Sequence, residues 1–212
     1  IDAGDSLTVT AVGINQTGTG LTVGGSTSLN GGAASITLED TDNVFTGAVS
    51  ANNSGFNTIS LVAGSGTLTL DTITAAGGGS LNFMANAITV ATATADKITT
   101  TGQIRIKPLA ATDSIGVAGA AGTLQLDASL FAPTTGSITN GSSLITIGHS
   151  NQSGKITIAA STFKDPVLFQ SRATGGSIEV TGQITGADNA SIHLAAAPST
   201  VTLGASIVTD GN

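Results

Sequence analysis

The densest group of carboxylates in the chain lies in the run Glu39-Asp40-Thr41-Asp42-Asn43. Carboxylates close together on a loop can direct their oxygens at a calcium ion. A complete calcium loop needs further ligands at fixed positions, and the Gly-Gly-x-Gly-x-Asp nonapeptide of calcium-binding β-rolls is absent. Two interpretations of Glu39, Asp40 and Asp42 remain: a calcium site, or a solvated corner whose charge discourages aggregation. The missing ligands favour the corner.

Two histidines, His149 and His193, lie 44 residues apart in the sequence. That separation is two periods of the repeat described below, so the two side chains could lie on related faces two coils apart. Stacked strands are about 4.8 Å apart, which would separate the histidines by roughly 10 Å, too far for one metal ion. His193 lies between Ile192 and Leu194, and alternation would turn it outward. We expect surface histidines and assign no metal ligand.

The remaining acidic residues do not form an obvious catalytic group. Enzymes that hydrolyse polysaccharides need two carboxylates converging on one groove. The candidates stand at unrelated offsets within the repeat: Asp113, Asp127, Asp165, Glu179 and Asp188. Aromatic residues that could stack on sugar rings make up only 3% of the chain, with no Trp or Tyr. We therefore expect no catalytic residue, no cofactor and no enzymatic activity, and keep a carbohydrate-active enzyme as the disfavoured alternative.

The charge of the chain limits its partners. Six basic against 13 acidic residues give a net charge of −7, which argues against nucleic acid and anionic membranes. No apolar run reaches the length of about 18 residues that a membrane span needs, so we expect no membrane insertion. Cysteine is absent, which is compatible with an extracellular location. The mixed charges Asp96, Lys97, Arg105 and Lys107 are expected to be exposed and to contribute little to stability.

Two further patterns resemble known sites only superficially. The stretches Gly24-Gly25 and Gly77-Gly78-Gly79 are not followed by a helical pattern or by Lys-Ser/Thr, so they predict corners rather than phosphate loops. Thr-x-Thr pairs such as Thr8/Thr10 do not recur at the repeat period. An ice-binding threonine ladder is therefore not favoured.

The elements that must position these residues are short strands. Alternating apolar doublets recur at intervals of 20 to 23 residues in a first series: Ile36/Leu38, Ile59/Leu61, Leu81/Phe83, Ile104/Ile106, Leu124/Leu126, Ile145/Ile147 and Val167/Phe169. A second series, offset along the repeat, comprises Leu68/Leu70, Ile88/Val90, Ile115/Val117, Ile156/Ile158, Ile178/Val180 and Val201/Leu203. A third, of single apolar residues, comprises Phe163, Ile184 and Ile207. Three strand-sized segments per period predict three faces per coil.

A repeat of this kind predicts an all-β parallel β-helix. Each strand is too short to be stable alone, but stacked coils let every strand form hydrogen bonds above and below. Inward Ile, Leu, Val and Phe would form one apolar column, and Gly and Asn would supply the sharp corners. At about 22 residues per coil, the 212 residues predict nine to ten coils in one domain spanning residues 1–212.

The segments Gly176–Thr185 and Ser191–Thr209 resemble the degenerate β-helical repeats of the filamentous haemagglutinin family, large bacterial exoproteins exported by two-partner secretion. The likeness is one of composition and periodicity and covers nearly the whole chain. It implies a right-handed parallel β-helix, a location at the cell surface, and a role in adhesion or as a stalk. It identifies no ligand.

We therefore expect a non-enzymatic extracellular rod, secreted or displayed on a bacterial surface. Both ends follow the same residue pattern as the middle, so we expect them to stack on further coils of a longer chain or on another copy. A self-assembling filament or surface-layer subunit is the alternative. Glycans or proteins of a host cell or matrix are the other expected partners.

Overall fold

The computed structural model describes residues 2–132, 135–188 and 190–210. Within these ranges there is no α-helix, and only two short 3-10 helices occur, Ala76–Gly78 and Ala128–Leu130. No described helix is therefore long and apolar enough to cross a membrane. The strands, in chain order, are β1 (Asp2–Ala3), β2 (Leu7–Thr10), β3 (Ile14–Asn15), β4 (Thr22–Val23), β5 (Thr27–Asn30), β6 (Ile36–Leu38), β7 (Val44–Phe45), β8 (Val49–Asn53), β9 (Ile59–Val62), β10 (Thr67–Ala75), β11 (Leu81–Met84), β12 (Ala87–Val90), β13 (Ile98–Thr100), β14 (Gln103–Lys107), β15 (Ile115–Val117), β16 (Leu124–Leu126), β17 (Leu144–His149), β18 (Ile156–Ile158), β19 (Ser161–Phe163), β20 (Val167–Ser171), β21 (Ile178–Val180), β22 (Ile184–Gly186), β23 (Ile192–Ala195), β24 (Val201–Leu203) and β25 (Ile207–Thr209).

Every strand pairing between these elements is parallel, and the chain forms a right-handed β-solenoid of about nine turns. One sheet runs from end to end in the order β3-β6-β9-β11-β14-β17-β20-β23, and we call it face 3. The predicted fold class is confirmed. The first doublet series largely lies on this face, because Ile36, Ile59 and Leu81 are direct register partners.

The other two faces are linked by β10, which bends around a corner. Its first half pairs with β12 and its second half with β13, and its register against β8 shifts between Leu70 and Ile73. Face 1 therefore runs through β1, β4 and β7, the first half of β10, and then β12, β16, β15, β18, β21 and β24. Face 2 runs through β2, β5 and β8, the second half of β10, β13, and then β19, β22 and β25. The second doublet series lies on face 1, as predicted.

The position predicted for Leu124/Leu126 is wrong. These residues form β16 on face 1, and the face 3 partner of Ile104 is Ile145, 41 residues later. Between them the chain makes an excursion in which β15 is laid down first and β16 then steps back between β12 and β15. A link of only six residues, 118–123, joins these parallel neighbours. The chain passes over face 1 twice within a single turn. The doublet intervals on either side of Leu124 therefore resembled steps along face 3.

The register of the third series also differs from the prediction at Phe163. Ile184 is level with Ile207 as predicted, but its partner on β19 is Ser161, and Phe163 is level with Gly186. Phe163 still points inward, and its ring lies 5.0 Å from that of Phe131 and 5.5 Å from that of Phe169, measured between centroids. These three rings pack together inside the coils that follow the excursion.

The core is one continuous column that lies inside the three faces. Inward residues from every face belong to a single buried cluster, and those of β9, β11, β14 and β18 are at most 2% exposed. Each coil therefore buries its apolar side chains against the coils above and below it, and the coil stack positions every outward side chain.

Candidate functional site

The outer surface of face 3 carries a groove of about 280 Å³. It forms because outward side chains of unequal length follow one another up the stack: Val62 on β9 is level with Met84 on β11, which is level with Lys107 on β14. Glu39 and Lys107 line the groove as its two charged residues, and Val62 itself is only 4% exposed. The groove is thus an outward feature of the coil stack, although the core residues Leu61 and Phe83 also contribute to its lining.

The polar groups of this groove are one carboxylate, a hydroxyl, an amide and the Lys107 ammonium. The Ser60 hydroxyl donates a hydrogen bond of 2.6 Å to Oε1 of Glu39 and so fixes the carboxylate. Asn82 supplies an amide beside it. Glycoside hydrolysis uses a pair of carboxyl groups across the scissile bond, and Glu39 is the one carboxylate among the groove's lining residues.

The acidic corner that could have held calcium uses its carboxylates separately. Oδ1 of Asp40 accepts the Asp42 backbone N–H at 2.8 Å, which closes a local turn, whereas Glu39 turns toward Ser60. The adjacent Asn43 is fully buried, and its Oδ1 accepts the Leu21 N–H at 2.8 Å from the preceding coil. Within the residues that the structure describes, no three His, Asp or Glu side chains are arranged to hold a metal ion. The hydrogen bonds of this corner are thus either local or directed to the neighbouring coils.

The two histidines lie on the same face but not in one column. His149 is level with Ser171 on β20, whereas His193 is level with Leu168, three residues earlier on that strand. His193 is exposed, as alternation predicted. His149 is half-buried, and its Nδ1 accepts the Asn151 N–H at 3.2 Å. Burial lowers the pKa of His149, and the charge of Lys107 lowers it further.

Two of the carboxylates that looked scattered are stacked at one corner. Asp165 follows β19 and Asp188 follows β22, and the Asp188 N–H donates to Oδ2 of Asp210, which follows β25, at 2.8 Å. The intervals of 23 and 22 residues could have revealed this ladder, but the prediction compared these aspartates with unrelated acids. Burial raises the pKa of Asp165, an effect that hydrogen bonds from Gly141 and Ser142 partly offset and the charge of Asp188 reinforces.

The other predicted acidic candidates each have a separate structural partner. Asp127 accepts the Ser129 N–H at 2.8 Å and caps the second 3-10 helix. Asp113 accepts the Ala110 N–H at 2.9 Å in a loop. Glu179 forms an ion pair with Lys155 on the neighbouring coil. These three carboxylates therefore lie in separate hydrogen-bonded or ion-paired positions.

Two basic residues that were expected to be exposed, Lys97 and Lys107, are half-buried. Nζ of Lys97 lies 2.7 Å from Oδ1 of Asp71, and the Lys97 side chain is only 24% exposed. The Ser50 hydroxyl also donates to Asp71, at 3.3 Å, so the ion pair joins consecutive coils of the stack. The predicted solvated charge is therefore a partly buried inter-coil contact.

Comparison with known protein families gives a match over about one quarter of the chain. A family model described as repeats of unknown function (DUF5649) matches residues 1–52. No curated protein matches the chain. No solved structure matches it either. The chain is thus a repetitive β-helical protein whose first coils are similar to that repeat family.

Proposed function

We propose that this chain is a rigid, non-enzymatic segment of a large extracellular bacterial protein, acting as a stalk or as a surface for adhesion. The observation that carries the proposal is the parallel hydrogen-bond ladder along face 3, which connects eight strands around one apolar column. Nine turns at about 4.8 Å give a rod roughly 43 Å long. A ladder of this kind resists bending and shear while leaving its outer faces free to make contacts.

The resemblance to filamentous haemagglutinin repeats supports the extracellular location and the link to two-partner secretion. The negative charge and the polar outer strands fit a segment exposed to solvent and in contact with glycans or proteins of a host cell or matrix, rather than with nucleic acid. Weak contacts repeated along such a rod would gain strength through multivalency.

Immunogold labelling of the bacterium that encodes the chain tests this proposal. Antibodies against the folded chain should label intact cells or secreted material, and small-angle scattering of the isolated chain should show a rod. Labelling confined to permeabilised cells would overturn the extracellular role. Release of reducing sugar from glycans, abolished by Glu39→Gln, would overturn the non-enzymatic role.

A filament or surface-layer subunit is the second candidate, because both terminal coils leave apolar core positions partly uncovered. At one end Leu203 is 62% and Val201 40% exposed, and at the other a cavity of about 350 Å³ is lined by core positions that include Leu7 and Ile14. Faces 1, 2 and 3 are present at both ends, so a second copy could continue all three ladders. Light scattering that rises with concentration, and that Leu203→Lys suppresses, would favour the filament. A constant monomer mass would exclude it.

A further inference from the structure

Phe56 is exposed to solvent, unlike the other aromatic residues of the chain. It is 87% exposed, whereas the remaining five phenylalanines are at most 3% exposed. It lies on the corner between β8 and β9, where face 2 turns into face 3. An exposed large apolar side chain in a protein with so few aromatic residues is informative, because leaving the ring in water forgoes its burial energy.

The corner on the next coil is built to accommodate this loop. That corner is the glycine triplet singled out in the sequence, and each glycine is approached by a different part of the Phe56 loop. A Cβ at Gly77 would lie 3.1 Å from the Gly55 carbonyl, and one at Gly79 would lie 2.0 Å from the Asn57 oxygen. A Cβ at Gly78 would lie 3.2 Å from Cε1 of Phe56. The triplet therefore lets one ring edge rest on backbone while the rest of the ring stays in solvent.

The groups around the ring are polar but uncharged. Oγ1 of Thr101, on the following coil, lies 3.5 Å from the Cβ position at Gly78, the same position that the Phe56 ring approaches. The Asn57 amide donates to the Ser54 carbonyl at 2.7 Å and fixes the loop that carries the ring. The stacked corner segments 54–58, 76–80 and 100–102 contain no charged residue. The site thus combines an exposed aromatic ring on a hydrogen-bonded loop with hydroxyl and amide groups.

We propose that Phe56 and its corner form a binding site for a neutral carbohydrate. The apolar face of a pyranose ring can stack on an aromatic ring while its hydroxyl groups bond to neighbouring hydroxyls and amides. Nucleic acid needs cationic groups, which this corner lacks. A stable protein partner needs an apolar patch of several hundred Å², whereas the nearest exposed large apolar side chain on this corner is Val12, two coils away. The proposal rests on the adhesive role proposed above and specifies the class of ligand.

Saturation-transfer NMR with cellohexaose, laminarihexaose and mannohexaose, and hyaluronan hexasaccharide as the acidic comparison, tests the site. We expect at least one neutral hexasaccharide to bind in the millimolar range, and Phe56→Ala to weaken this binding by about three- to tenfold, the scale of one aromatic contact. Phe56→Trp should retain binding. Val12→Ala is the matched control, because Val12 is an equally exposed apolar residue on the same corner, and it should change nothing.

Three results would overturn the site: no neutral sugar binding to the wild-type chain, equal binding by Phe56→Ala, or preference for the acidic hexasaccharide. Phe56 is exposed, so Phe56→Ala should fold normally, and an unchanged circular dichroism melt verifies this. None of these results affects the labelling and scattering experiments, so a failure of the sugar site is distinguishable from a failure of the rod proposal.

Discussion

At the residue scale, some positions accept only glycine because a neighbouring coil passes too close for any side chain. At these positions the backbone conformation itself does not require glycine. A Cβ at Gly64 would lie 1.3 Å from the Thr41 carbonyl oxygen, although Gly64 does not adopt a positive φ. Gly4, by contrast, has nothing within 4 Å of its Cβ position. Some glycines are therefore required because a neighbouring strand passes within contact distance, and others merely occupy open corners.

Gly64→Ala should lower the free energy of unfolding by about 3 kcal/mol or more, because the atom that blocks the new methyl group is backbone and cannot rotate away. Gly4→Ala is the matched substitution in open space and should change stability by less than about 0.5 kcal/mol. Urea denaturation followed by circular dichroism measures both. Equal effects of the two substitutions would contradict the close-approach argument.

His149 should make the chain less stable in mild acid. Its pKa is lowered in the folded state, so the unfolded chain binds the proton more readily. Stability is therefore unaffected above the ordinary histidine pKa of about 6.5 and falls as the pH drops below it. In His149→Asn, whose oxygen can still accept the Asn151 N–H, the loss between pH 7 and pH 5 should be smaller than in wild type. Melting curves across that range provide the comparison, and identical slopes would refute it.

Asp165 should act in the opposite direction. Its pKa is raised by burial, so its contribution to stability is greatest below the ordinary carboxyl range and is lost as the pH rises through the folded-state pKa. Asp165→Asn removes the buried charge and can keep the 2.8 Å bond from the Gly141 N–H. We expect the variant to be at least as stable as wild type at pH 7 and to lose this advantage below pH 4. A less stable variant at pH 7 would show that the carboxylate is needed.

At the element scale, the excursion between β14 and β17 is the feature that periodicity could not predict. Parallel neighbours usually need a connection of a dozen or more residues, whereas six residues link β15 to β16. Glycine makes the short link possible: a Cβ at Gly116 would lie 1.9 Å from the Ala120 oxygen, and one at Gly122 would lie 2.2 Å from the Gly116 nitrogen. The link folds directly back over the strand it leaves.

Gly116→Ala and Gly122→Ala should each disrupt this link and cost about 3 kcal/mol, because both new methyl groups meet backbone atoms. Gly119→Ala is the control within the same link. It has a positive φ of 84° but open space around its Cβ position, so it should cost about 1 kcal/mol from backbone strain alone. Hydrogen exchange should show faster opening of β15 and β16 in the first two variants. A uniform effect of all three would argue for strain rather than contact.

The excursion between β14 and β17 shows which parts of the fold can be predicted from the sequence. Regular doublets such as Ile59/Leu61 and Ile178/Val180 identify strand, face and partner together, because alternation and period agree. Leu124/Leu126 has the same local pattern, yet its face depends on a link whose geometry alternation does not encode. The doublets Ile115/Val117 and Leu124/Leu126 stand nine residues apart with glycines between them, which was the available indication. The Phe56 corner depends on contacts between coils and was likewise missed.

At the scale of the whole molecule, stability should vary along the rod. Each coil contacts only its neighbours, so a middle coil is held on both sides and a terminal coil on one. Exposure follows this order, since Leu61 is fully buried and the core position Leu203 of the last turn is 62% exposed. Leu61→Ala should therefore cost about 3 kcal/mol and Leu203→Ala less than about 1 kcal/mol, as measured by urea denaturation. Similar costs would show that the rod does not behave as a one-dimensional stack.

Because each coil contacts only its neighbours, an added coil should also slow the local opening of the last turn. A copy of residues 190–210 joined after the last residue would present a new strand to β23, β24 and β25 in turn, and cover Val201 and Leu203. Hydrogen exchange in β24 and β25 should slow by at least about tenfold, because opening would then have to break ladders on both sides. A control copy with asparagine at its positions equivalent to Val201, Leu203 and Ile207 has the same length without the apolar column, and should leave exchange unchanged. Equal protection by both copies would mean that backbone pairing alone, and not the apolar column, holds one coil on the next.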